Sequence, residues 1–153
     1  MKVNFIKKHK DAKLPKRNHT DLLKGDAGYD IFSCEEVTIA PGESIVVPVG
    51  IKVGHITPGF WFRIEGRSGL GFKHSMMPHF GIIDNGYRGD LGIKIYNLSK
   101  ETKTLERGIG IAQFITYRMI KTDVDWMEEP EVPEEGIRGE KGFGSSDKKE
   151  AND

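Results

Sequence analysis

Cysteine is nearly absent from this chain. Cys34 is the only one in 153 residues, which excludes an internal disulfide and suits a reducing compartment. Nothing near it in sequence would lower its pKa, so a small buried apolar side chain is expected there rather than a nucleophile. Net charge is missing too, since 23 Lys and Arg balance 23 Asp and Glu. A neutral chain offers no broad electrostatic footprint for nucleic acid or an anionic membrane. An anionic ligand must then be held by a few placed cations and backbone N–H groups. No stretch approaches the ~18 apolar residues of a membrane-spanning helix. No window keeps a 3.6-residue apolar period over three turns, which argues against long helices. CxxC, HExxH and P-loop motifs are absent, and His9, His19, His55, His74 and His79 lack metal-ligand spacing.

Glycine is what the chain has in excess. The 19 glycines and seven prolines punctuate it about every ten residues, the spacing of an all-β sandwich or barrel. Strands are predicted at 2–6, 36–40, 44–48, 51–54, 59–65, 79–84, 87–97, 103–106 and 110–119, with a short one at 31–33. Pro41-Gly42 is a turn, because Pro presets φ and Gly supplies φ > 0. From Leu91 to Asn97 the apolar residues alternate, as one buried face requires. A short helical turn is expected at 68–74. Residues 1–127 form one predicted domain. Lys2, Lys7, Lys8, Lys10, Lys13, Lys16 and Arg17 have no apolar segment after them, and read as the solvated start of a cytoplasmic protein.

The run Gly81-Ile82-Ile83-Asp84-Asn85-Gly86-Tyr87-Arg88-Gly89 carries the sharpest local signal. Asn-Gly between short apolar runs predicts a two-residue hairpin with a type I′ turn, whose central residues both need φ > 0. Asp84 and Tyr87 would then face each other across the hairpin. Asp is depleted at such strand positions, so Asp84 is either a turn-capping residue or a carboxylate with a chemical task.

Other stretches add chemistry. Gly66-Arg67-Ser68-Gly69 follows an apolar strand and offers backbone N–H groups, a hydroxyl and a guanidinium to an anion. Asp26-Ala27-Gly28-Tyr29-Asp30 sets two carboxylates four apart, of which Asp30 suits a hydrated Mg²⁺. Arg107 and Gln113 flank a strand entry. Residues 128–153 change character: an acidic, proline-broken linker leads to a glycine-rich tail with Arg138, Phe143, Gly144, Ser145 and Ser146. That tail is too polar to bury a core, and its one aromatic ring is suited to docking on a flat ligand.

In order, these motifs resemble those of the trimeric deoxyuridine triphosphatase (dUTPase) family. Asp11–Pro15 is similar to its opening segment, Asp26–Ile31 to its first motif, Gly66–Leu70 to its second and Gly81–Gly89 to its third. Arg107–Gln113 resembles the fourth and Arg138–Ser146 the fifth. Where the family usually has a basic residue before Ile-Ala-Gln, this chain has Gly110, and Arg107 is the cation that could replace it. Lys141 and Ser146-Asp147 also depart from the fifth motif, and no Asn precedes the hairpin to help read the base.

The resemblance implies an all-β, distorted jelly-roll or β-sandwich with a flexible C-terminal arm. It implies a homotrimer with sites between subunits, acting on dUTP with Mg²⁺ to give dUMP and pyrophosphate. That activity limits uracil incorporation into DNA and supplies dUMP for thymidylate synthesis. Asp84 is expected to activate the water, with Asp30 an outer-shell metal partner through water. Arg67, Ser68, Gly69, Gln113, Arg138, Gly144 and Ser145 are expected around the phosphates. Tyr87 would lie under the deoxyribose, the backbone of Gly81 and Ile83 at the uracil edge, and Phe143 on its ring. A dCTP deaminase-like enzyme and an inactive nucleotide-binding module of this fold are the alternatives. The missing acidic residue in Leu91–Asn97 weighs against the deaminase.

Overall fold

The computed structural model describes residues 1–127. Contacts divide the chain into Met1–Ile120 and Lys121–Asp153. In the second unit residues 121–127 are described, and they have no regular secondary structure. No helix among the described residues is long and apolar enough to cross a membrane.

The first unit is built from two four-stranded antiparallel sheets. One runs in the order β1 (Val3–Lys7), β4 (Ser44–Ile56), β8 (Asp90–Asn97), β6 (Met76–Pro78). The other runs β2 (Tyr29–Phe32), β10 (Gly110–Arg118), β5 (Phe60–Glu65), β7 (Gly81–Ile83). A ribbon of β3 (Val37–Ile39) and β9 (Lys103–Leu105) completes the fold. This is the expected all-β sandwich, and its core lies between the sheets. Leu91, Ile93 and Ile95 of β8 face inward with Val47, Val49 and Val53 of β4, against Phe62, Ile64, Ile111 and Phe114. Each such aliphatic side chain contributes about 1.5–3 kcal/mol on burial. Phe5 of one sheet meets Phe62 and Phe114 of the other at ring separations of 6.2 and 5.9 Å. Asn97 is buried but satisfied: its amide donates to the Ile39 and Glu101 carbonyls, and its oxygen accepts from Ser99.

Several local expectations change. The segments 44–48 and 51–54 are one strand, because a bulge absorbs the interruption. Pairing with β8 jumps from Pro48↔Gly92 to Ile51↔Leu91, and Gly50 takes φ +66° there. A Cβ at Gly50 would sit 2.6 Å from His9 Cβ and 3.1 Å from Cys34 Sγ. Cys34 is indeed buried, and burial pushes its thiol pKa up. The helical turn at 68–74 is a π-helical turn over Gly69–Lys73. Strand β6 falls on a stretch predicted as connection.

The largest correction concerns Asp84–Tyr87. No type I′ hairpin forms. β7 pairs with β5, whereas β8 pairs with β4 and β6 in the opposite sheet. Neither Asn85 nor Gly86 has positive φ. The turn is of ordinary hand, closed by Tyr87 N–H to the Asp84 carbonyl at 3.0 Å. It carries the chain from one sheet to the other, so Asp84 and Tyr87 are not ladder partners.

Candidate active site

One end of the second sheet gathers residues from four segments. Across it, Asp30 on β2 pairs with Gln113 on β10, which pairs with Glu65 on β5. Neighbours in such a row have Cβ atoms about 4.5–5.5 Å apart. All three face away from the core, since Ile31, Ile64, Ala112 and Phe114 beside them are buried. Arg67 follows β5 and folds back over this row. Its Nε and Nη2 donate to the two Asp30 carboxylate oxygens, both at 3.0 Å. Its Nη1 donates to the Gly110 carbonyl at 2.7 Å. Three of the five guanidinium N–H groups are thus engaged by described residues.

Two glycines make room for this arrangement. A Cβ on Gly110 would lie 2.7 Å from Arg67 Nη1. A Cβ on Gly28 would run into the Gln113 side-chain amide. Gln113 Nε2 in turn donates to the Gly66 carbonyl at 2.7 Å. Ser68 makes no side-chain capping bond to the π-helical turn, so its hydroxyl remains accessible. Gly69 has open space around its Cα. Beside them lies an open cleft of about 710 Å³, lined by Arg67, Ser68, Met77, Pro78, Leu98 and Gln113 among others.

Asn18 also reaches this end, with its Nδ2 3.1 Å from Asp30 Oδ2. No sequence signal pointed to Asn18 or Glu65. Neither belongs to a motif: Asn18 meets Asp30 from 12 residues away, and Glu65 pairs with Arg63 Nε at 2.8 Å on its own strand. Arg107, by contrast, turns away and pairs with Asp11 Oδ2 at 3.1 Å. The guanidinium over Gly110 belongs to Arg67.

Asp84 and Tyr87 sit elsewhere. Extending the β5–β7 register places Asp84 across from Trp61, four positions from the Gln113 row, about 13 Å along the strands. The Asp84 carboxylate is exposed and has no hydrogen-bond partner among the described residues. The Tyr87 hydroxyl donates to the Asp90 carbonyl at 2.7 Å, and its ring packs over Gly89, where a Cβ would lie 2.5 Å from Cζ. The one polar atom of this side chain is thus engaged by backbone. Gly81 and Ile83 lie on β7, the edge strand of its sheet, so one side of that strand has no ladder partner among the described residues. Arg138, Phe143, Gly144 and Ser145 lie outside the described residues.

A family model described as dUTPase matches residues 12–147. The chain belongs to the dUTPase family. It is 37% identical over 148 residues to a deoxyuridine 5'-triphosphate nucleotidohydrolase of Gloeothece citriformis, covering 95% of this chain and 97% of that one. It is 38% identical over 150 residues to that of Clostridium novyi, with 95% and 99% covered. The mouse enzyme of the same name is 34% identical over 146 residues, with 95% and 85% covered. Among solved structures, a point mutant of the Staphylococcus bacteriophage 80alpha dUTPase with dUpNHpp aligns with TM-score 0.79 at 32% identity, covering 95% of this chain and 98% of that one. The dUTPase of phage phi11 of S. aureus, whose structure concerns a structural Mg(II) ion, aligns with TM-score 0.74 at 28% identity, covering 84% and 98%. Asp30 and Gln113 in the row, with Arg67 folded over them, bring together the segments that resemble the first, second and fourth dUTPase motifs within one chain. The third motif, with Asp84 and Tyr87, stands apart from them.

A metal would find few ligands here. No group of three or more His, Cys, Asp or Glu side chains among the described residues is placed to hold an ion. Mg²⁺ usually keeps several waters and takes one or two protein carboxylates, so a lone carboxylate is compatible with it. Asp30 is the carboxylate at the right end, with a side chain 13% exposed.

Proposed function

We infer that this chain is a dUTP diphosphatase, hydrolysing dUTP to dUMP and pyrophosphate. The observation that carries the reading is the cluster of Asp30, Arg67 and Gln113, in a chain whose relatives, matched over nearly their whole length, bear that activity in their names. The deaminase alternative has no support, since β8 carries no glutamate.

In the proposed reaction Asp84 takes a proton from water as the water oxygen attacks the α-phosphorus. The bond from that phosphorus to the bridging oxygen breaks, and pyrophosphate leaves. A general base must first be in reach of its water, and the exposed, unpartnered Asp84 carboxylate meets that need. The two remaining N–H groups of Arg67, the Ser68 hydroxyl, the Gly69 backbone and Gln113 would contact phosphate oxygens. Mg²⁺, when bound, would supply charge neutralisation on the phosphates, with Asp30 as its outer-shell partner. The Tyr87 ring, held by Asp90 and Gly89, would occupy the space of a ribose 2′-hydroxyl and so disfavour UTP. The free edge of β7 at Gly81 and Ile83 would read the uracil by backbone. Arg138, Phe143, Gly144 and Ser145 would close over the nucleotide as an arm, the chain being read as a 1–127 domain followed by a 128–153 linker and arm.

A homotrimer with shared sites fits this geometry. Gln113 turns its amide toward Gly66, away from Asp84. Arg63, Ile82 and Ile115 fill the intervening face of the sheet in one cross-strand row. A second copy supplying Asp84 to the phosphate end of the first would complete what one chain separates. Replacing Asp84 with Asn should abolish pyrophosphate release by several orders of magnitude while dUTP binding changes a few-fold at most. Assaying pyrophosphate and ammonia from dUTP, dCTP and UTP tests the assignment; ammonia from dCTP, or a fully active Asp84→Asn enzyme, would overturn it.

A further inference from the structure

Asn85 ties the Asp84 turn to the body of the domain. Its side-chain nitrogen lies 2.9 Å from the Thr57 carbonyl, 2.9 Å from that of Phe60 and 3.3 Å from that of Ile56. All three carbonyls belong to the corner between β4 and β5. An amide has two N–H groups, so three acceptors share two protons and the side chain is held from three directions. Up to Arg88 the other hydrogen bonds of the connection are local. Tyr87 N–H donates to the Asp84 carbonyl, the Tyr87 hydroxyl to Asp90, and Arg88 Nη1 to the Asn85 and Tyr87 carbonyls. At the far end Val53 N–H donates to the Gly89 carbonyl. On the Asp84 side, among the described residues, Asn85 is the side chain that reaches outside the turn.

We propose that Asn85 is a positioning residue for Asp84, acting through the turn backbone and not on substrate. The proposal rests on the reading of Asp84 as the base. The Asp84 carboxylate has no hydrogen-bond partner of its own among the described residues, so its place follows from the turn backbone, which Asn85 anchors. Reaction rates fall about a hundred-fold when a reacting group is misplaced by roughly 1 Å, whereas binding elsewhere on the nucleotide is little affected. The chemistry demands an amide: a carboxylate in its place would set negative charge against three carbonyl oxygens.

The test compares Asn85→Ala, Asn85→Asp, Asn85→Ser and Asp84→Asn in the full chain. Ile39→Val, a trimmed core side chain in β3, serves as a control for lost stability. Steady-state kinetics on dUTP and equilibrium binding of dUpNHpp are the readouts. Asn85→Ala and Asn85→Asp should lower kcat ten- to hundred-fold while KM and dUpNHpp affinity shift less than three-fold. Asn85→Ser keeps one short donor and should fall between; it carries the comparison if the Ala or Asp variant does not fold. Ile39→Val should lower the melting temperature and leave kcat unchanged. A folded Asn85 variant with wild-type kcat, or one in which kcat and dUpNHpp affinity fall together, overturns the proposal. A fully active Asp84→Asn enzyme overturns the reading of Asp84, and the proposal with it. An inert Asp84→Asn beside a fully active Asn85→Ala overturns the proposal alone.

Discussion

Asp30 and Arg67 form a two-pronged ion pair, Nε to Oδ1 and Nη2 to Oδ2, each at 3.0 Å. The side chains are 13% and 34% exposed, so the pair lies between an open surface bridge and a buried one. It joins two motifs 37 residues apart in the chain, and it aims the guanidinium by fixing both of its bonded edges. Arg67 thereby enters the cleft already oriented and partly neutralised.

Arg67→Lys should break that fork. A single ammonium cannot hold both carboxylate oxygens and the Gly110 carbonyl together. A stability loss of about 1–3 kcal/mol is expected, between the values for exposed and buried pairs. The catalytic efficiency kcat/KM for dUTP should fall at least ten-fold. Thermal melts and initial rates measure both, and an unchanged kcat/KM would show that charge suffices without the fork.

Gly28→Ala should act on Gln113. The new methyl would occupy the position of the Gln113 amide, whose Cδ lies 2.9 Å from an ideal Cβ there. Gln113 must then swing off the Gly66 carbonyl, at a cost of about 1 kcal/mol for the lost hydrogen bond. KM for dUTP should rise several-fold with kcat less affected. Wild-type KM would remove Gln113 from the substrate contacts.

Gly86→Ala should be nearly silent, because no positive φ is required and nothing lies within 4 Å of the added Cβ. A change under about 0.5 kcal/mol is expected. At Gly50, with φ +66° and His9 in the way, the same substitution should cost more than about 1 kcal/mol. Chemical denaturation of the two variants gives the comparison; equal losses would restore the type I′ turn.

Acid should loosen the loop from Asn18 to Asp26 before the core. The Asp26 carboxylate accepts the backbone N–H of His19 and of Asn18 and lies 3.2 Å from His19 Nδ1. The His19 backbone bond, the largest cause, holds its pKa below the ordinary 3.8. A depressed folded pKa contributes stability that is complete above 3.8 and lost as pH falls through the lower folded value. Amide hydrogen exchange, corrected for intrinsic rate, should show His19 losing protection in that window while Ile93 keeps it. Simultaneous loss at both would tie the loop to global unfolding. Because Asn18 bonds Asp30, this loosening should also reach the Asp30–Arg67 pair.

Much of this protein was legible in one dimension. Alternation along Leu91–Asn97, turn chemistry at Pro41-Gly42 and the spacing of glycines declared the all-β class, because side chains in a strand alternate faces whatever the partner. The residues around Asp30 and Arg67 were legible as motifs, since a guanidinium, a hydroxyl and a small-residue turn advertise their chemistry locally. Tertiary structure alone decided which of them meet. Asn85-Gly86 has the local signature of a hairpin, yet Ile83 of β7 packs half-buried in one sheet while Leu91, Ile93 and Ile95 of β8 are buried in the other, and that packing outweighs a turn preference on the order of 1 kcal/mol. The same holds for Arg67 over Gly110 and Asn85 under the β4–β5 corner: hydrogen bonds between distant segments depend on which backbones the sheets bring together, and no local pattern records that.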